Sequence, residues 1–147
     1  MAAADAGLDR YRTSGGSMFP AIPAGAIVAV ERVEPSRIRP GDVLCHPALG
    51  GAVVAHRVVR IEDGPDGRAI VTRGDGGTAE DRVPESAAIH VVRRVEHRLF
   101  AYDSDGPVGR ALATAALSDG PAWRTARRAL RLAVGAASLA RDLAGLG

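Results

Sequence analysis

Between residues 26 and 95 the chain alternates short apolar runs with clusters of glycine, proline and polar residues. Residues 26–30 (Ala-Ile-Val-Ala-Val) follow Pro23 and Gly25 and predict a buried strand. Residues 32–40 are polar, carry Pro35 and Pro40, and predict a connection. Gly41-Asp42 predicts a turn, with residues 43–46 as the strand after it. Gly50-Gly51 predicts a further turn. Residues 52–61 are β-branched and about half alternating, which favours a strand. Alternation puts Val54, His56 and Val58 on one face and Ala55, Arg57 and Val59 on the other. Asp63-Gly64 and Asp66-Gly67 predict a hairpin loop over residues 62–68, with a return strand at 69–72. A glycine-rich turn follows at residues 73–77, and residues 89–95 predict a last short strand. The sum is a mainly β domain of six or so short strands, a small barrel or sandwich.

The pattern changes at the ends. Residues 1–14 read as a flexible, Ala-rich leader, and residues 15–100 as the β domain. Residues 101–120 read as a linker with a short helix, and residues 121–147 as an amphipathic C-terminal helix. Ser118 or Asp119 is placed to cap that last helix near Pro121. On a helical wheel Arg124, Arg127, Arg128, Arg131, Ser138 and Asp142 share one face. Trp123, Leu130, Ala133, Val134, Ala137 and Leu143 occupy the rest. Two placements are open: the apolar face packs on the β domain or a partner, or the helix lies in a membrane interface with its arginines towards headgroups. Arg131 and Arg141 interrupt it too closely for it to span a bilayer.

Composition narrows the chemistry. The 147 residues suit one domain, and the 3% aromatic content leaves Val, Ile, Leu and Ala to build its core. A formal net charge of +2 gives no case for nucleic acid. All 19 basic residues are arginine, so a mechanism with a lysine base is excluded for this chain acting alone. Deprotonation near neutral pH falls to His46, His56, His90, His97, a carboxylate, Cys45 or the N-terminal amine. The single cysteine, Cys45, excludes an internal disulfide and a Cys-cluster zinc site, and no metal or cofactor is expected. The first 16 residues hold no apolar run long enough for a signal peptide or membrane span.

The candidate chemistry centres on Gly15-Gly16-Ser17-Met18-Phe19-Pro20. Glycine lets a backbone or substrate approach closely and proline stiffens the turn, so one hydroxyl is presented on an open loop. A serine hydroxyl needs a base to act as a nucleophile. Downstream, in order, lie Gly41-Asp42-Val43, His56-Arg57-Val58-Val59, and Thr72-Arg73-Gly74-Asp75 running on to Asp81-Arg82. Taken singly these are turn residues and a mid-strand histidine. In this order they resemble the type I signal peptidases, which are related to the self-cleaving SOS-type repressors. The likeness is closest to the endoplasmic-reticulum and archaeal branch, where histidine stands in place of the bacterial lysine. It covers residues 15–99. The chain departs from the family in carrying Gly76-Gly77 instead of asparagines, and a polar leader instead of a membrane helix before the serine.

The resemblance implies a signal-peptidase-like β fold with one or two C-terminal helices. It implies a serine endopeptidase with Ser17 as nucleophile, His56 as general base and Asp81 orienting the histidine. Asp75, Asp42 and Arg57 are implied as supporting residues. The expected partner is a peptide or protein with a cleavable leader. Peripheral membrane contact through the last helix is the further expectation, with a cytoplasmic or membrane-peripheral location. Two other readings stay open: a non-catalytic peptide-binding β module, and a self-processing regulator cut at Ala6-Gly7 or Ala24-Gly25.

Overall fold

The computed structural model describes residues 8–47, 52–87, 90–118 and 120–145. Eight strands form a curled antiparallel sheet, followed by two helices. The strands are β1 (Asp9–Arg12), β2 (Ile27–Arg32), β3 (Val43–Pro47), β4 (Val53–Gly64), β5 (Gly67–Arg73), β6 (Glu80–Pro84), β7 (His90–His97) and β8 (Phe100–Asp103). The helices are α1 (Pro107–Ser118) and α2 (Pro121–Ala144). Strand order is β1-β2-β7-β3-β4-β5-β6, with β8 also paired to β7. The mainly β expectation therefore holds, and the apolar runs mark β2, β3, β4, β5 and β7.

Three strands lie where none was expected. β1 (Asp-Arg-Tyr-Arg) falls inside the stretch read as a flexible leader and pairs with β2 from Asp9↔Val30 to Arg12↔Ile27. β8 lies where a linker was expected to begin. β6 (Glu-Asp-Arg-Val-Pro) pairs with β5 and has only Val83 buried. β1 and β6 are the sheet's edges, and charged residues suit strands with one side in water. The expected hairpin loop is also tighter, because β4 runs to Gly64 and β5 begins at Gly67, which has φ of 104°.

The curl gives the sheet two apolar clusters. Met18, Ala21, Ile22, Ala26, Val28, Val30, Val43, Val92 and Val95 form one. Val33, Ile38, Leu44, Val58, Ile70, Val83 and Val91 form the other. Strand alternation sends neighbouring residues to opposite clusters, as with Val43 and Leu44. For this reason both Arg57 and Val58 are buried, although they point to opposite faces.

The helices differ from expectation in detail. Gly120 is the N-cap of α2 and makes no side-chain cap bond, while Pro121 takes the first helical turn. The Ser118 hydroxyl instead donates to the Ala115 carbonyl inside α1; Asp119 lies outside the described residues. α2 meets the β domain through a mixed face, apolar at Trp123 and basic at Arg127 and Arg131, rather than through the apolar face alone. Trp123 is buried, the Arg131 guanidinium lies 5.3 Å from the centre of the Phe19 ring, and Arg141 reaches the Arg98 carbonyl. Leu132, Leu139 and Leu143 are 76%, 61% and 63% exposed. No described helix is long and apolar enough to cross a membrane.

Candidate active site

The Ser17 loop is held by its neighbours on both sides. Met18 and Phe19 are buried, each contributing roughly 1.5–3 kcal/mol of apolar burial. Ser17 itself stays exposed. The Phe19–Pro20 peptide is cis. The amide of Gly76 donates to the Ser17 carbonyl at 2.7 Å, tying the loop to the turn after β5. At Gly74 the contact is close enough to require glycine, and at Gly76 it is tight. A Cβ on Gly74 would stand 2.8 Å from the Ser17 carbonyl oxygen and 3.1 Å from the Ser17 Cβ. A Cβ on Gly76 would stand 3.1 Å from that same oxygen and 3.4 Å from Arg127 Nη1. Gly76, where the resembled family carries asparagine, is thus fitted to this loop and to α2.

β4 brings His56 to the same end of the sheet. The β4–β5 ladder pairs Arg57 with Arg73, and one step further along the antiparallel register lie His56 and Gly74. Gly74 is the residue against which Ser17 packs. β6 delivers the acid: Asp81 pairs with Thr72 in β5, and its Oδ2 lies 3.1 Å from His56 Nδ1. An ionised carboxylate only accepts, so His56 carries its proton on Nδ1 and leaves the Nε2 lone pair free for another group. The His56 side chain is 16% exposed and that of Asp81 51%. Among the described residues the Ser17 hydroxyl makes no hydrogen bond to His56.

Asp75 and Asp42 do different work. Asp75 accepts two bonds from Arg57, Nε to Oδ1 at 2.7 Å and Nη2 to Oδ2 at 2.6 Å, with both side chains buried. The third Arg57 bond goes from Nη1 to the Gly41 carbonyl at 2.8 Å. A buried charge pair holds together only when its hydrogen bonds are met, and here they are. The Asp75 backbone carbonyl accepts from Arg127 of α2. Asp42 accepts from the Arg39 amide at 2.9 Å and shapes the turn before β3, where Gly41 has φ of 100°. Neither acid touches His56.

The sequence offered His46 only as one possible base among several, and gave Thr72 and Arg127 no place of their own at the site. His46 is buried, and its ring lies edge-on to His56 with centroids 5.9 Å apart. Its Nδ1 bonds the Pro47 carbonyl at 3.0 Å, and its Nε2 the Thr72 hydroxyl at 3.1 Å. Because a carbonyl can only accept, the proton sits on Nδ1 and Nε2 accepts from Thr72. Burial pulls the His46 pKa below its ordinary value of 6.5. Burial also pushes the Cys45 thiol up to about 11, so Cys45 is a thiol rather than a thiolate at neutral pH.

The described cavities lie elsewhere. The roomiest, about 490 Å³, is lined by Arg12, Pro23, Gly25, His97, Arg98 and others near α2. Ser17, His56 and Asp81 line neither of the two described cavities and lie open to solvent or at its margin. Comparison with families of known proteins, with curated proteins and with solved structures finds no match.

Proposed function

We propose that this chain is a serine endopeptidase of signal-peptidase-like fold, which cleaves a leader segment from a peptide or protein. The observation that carries the reading is the contact between His56 Nδ1 and the Asp81 carboxylate, made beside the turn that holds Ser17. In the reaction His56 Nε2 takes the Ser17 proton as the hydroxyl attacks the scissile carbonyl, then returns it to the leaving amine. Asp81 holds the ring in the required tautomer and stabilises the imidazolium. The bond from the Ser17 hydroxyl to Nε2 is made with substrate in place, since such bonds are often unmade without it. The Ser17 amide makes no backbone hydrogen bond among the described residues and is free to donate to the oxyanion. Asp75, Arg57 and Asp42 act at a distance, by fixing the turns around the site.

The open setting of the three residues suits an extended chain better than an enclosed small molecule. The test is cleavage of a leader-bearing substrate by the wild type and by Ser17→Ala. The variant removes one exposed oxygen, so its melting temperature should match the wild type while cleavage is abolished. Undiminished cleavage by Ser17→Ala would overturn the assignment.

A further inference from the structure

We propose that His46, His56 and Asp81 form a binding site for a divalent transition-metal ion of the zinc type, and that metal bound there silences the serine site. The second half rests on the serine peptidase reading; the first does not. Nitrogen and carboxylate donors of the three residues all lie within 4.8 Å of one another. Zinc binds such donors at about 2.0–2.2 Å, which places the ligands of a tetrahedral ion about 3.3–3.6 Å apart. His56 Nδ1 and the Asp81 carboxylate already stand 3.1 Å apart; an ion bound between them takes the place of the Nδ1 proton, which moves to Nε2, and His46 has to close the remaining gap.

His46 is prepared for that role. A histidine ligand offers one nitrogen to the metal while the other donates its N–H to an acceptor that fixes the tautomer. His46 has this arrangement, with Nδ1 donating to the Pro47 carbonyl and the Nε2 lone pair turned towards Thr72. The Thr72 hydroxyl rotates to release that lone pair when metal arrives. The three residues converge by strand pairing: Leu44↔His56 sets His46 and His56 on one face, and Thr72↔Asp81 brings the acid beside them. Asp81 is half exposed, which gives the ion an entry path and leaves a position for water. Two histidines and one carboxylate with an open fourth position are a known donor set for zinc.

Metal and serine chemistry then exclude each other. Zinc on His56 Nδ1 leaves the ring's proton on Nε2, where it blocks acceptance of the Ser17 proton, and it also takes the carboxylate that holds the ring, so the base is disabled.

The test titrates zinc alone into the chelator-stripped full chain against a colorimetric competitor. One equivalent per chain is expected. Asp81→Asn and His46→Gln should each weaken binding at least about tenfold, while His97→Ala leaves it unchanged. Asp81→Asn alters an exposed side chain and keeps the test valid if the buried His46 variant fails to fold. No binding below millimolar zinc, or binding unaffected by Asp81→Asn, overturns the site. The second measurement is fluorophosphonate labelling of Ser17 with chelator and with zinc. Suppression by zinc and recovery with chelator supports silencing; equal labelling with zinc bound overturns it. Zinc binding without labelling under either condition leaves the metal site standing and defeats the peptidase reading.

Discussion

At the scale of single residues, two acids that looked alike in the sequence separate by what they touch. Asp81 meets His56, while Asp75 meets Arg57 in a buried two-bond pair. Asp75→Asn therefore leaves the Arg57 charge buried with a neutral partner. A loss of stability of about 3–5 kcal/mol is expected in denaturant unfolding, far more than for Asp81→Asn. Equal stability of the two variants would contradict the division of roles. Gly74 supplies a second test. An added methyl meets the Ser17 carbonyl and Cβ, so Gly74→Ala must displace the Ser17 loop. We expect an overpacking cost of about 1–3 kcal/mol and a fall in Ser17 reactivity of up to about 100-fold, read by serine-probe labelling of folded protein. His56 and Asp81 stand in separate boxes of the sequence and meet in the structure. The approach of His46 to His56 could not be foreseen, because it depends on the pairing of β3 with β4, which local sequence does not encode.

At the scale of elements, legibility followed apolar content. β2 to β5 and β7 were readable because Val, Ile and Ala runs stand between glycine and proline turns. β1 and β6 were not, since Asp-Arg-Tyr-Arg and Glu-Asp-Arg-Val-Pro carry the charges of edge strands. The extra strand β6 matters most for the proposed function, because it carries Asp81 to His56. α2 was foreseen as amphipathic, and its docking face was not. Trp123, Arg127 and Arg131 reach the domain, while the leucines at 132, 139 and 143 face outwards. Trp123→Ala should cost about 3 kcal/mol or detach the helix, and Leu139→Glu should stay within about 0.5 kcal/mol. Thermal melts followed by helical circular dichroism check the pair, and a larger loss for Leu139→Glu would contradict this docking.

At the scale of the whole molecule, one end of the curled sheet gathers everything proposed to act. The Ser17 loop precedes β2, His56 lies in β4, the Gly74-Asp75-Gly76-Gly77 turn follows β5, and Asp81 lies in β6. α2 closes the arrangement by binding the Asp75 carbonyl through Arg127. A mainly β fold could be read from strand rhythm alone, whereas the curl that brings segments some 60 residues apart together is a property of the sheet order. The central claim is that Ser17 is a nucleophile activated by His56. Its most direct test is fluorophosphonate labelling of chelator-treated protein, with the modified residue located by peptide mass spectrometry, in the wild type and in His56→Ala. An adduct on Ser17 is expected in the wild type, formed roughly 10²–10⁴-fold more slowly in His56→Ala. No adduct on folded wild-type protein, or labelling at the same rate without His56, would contradict it.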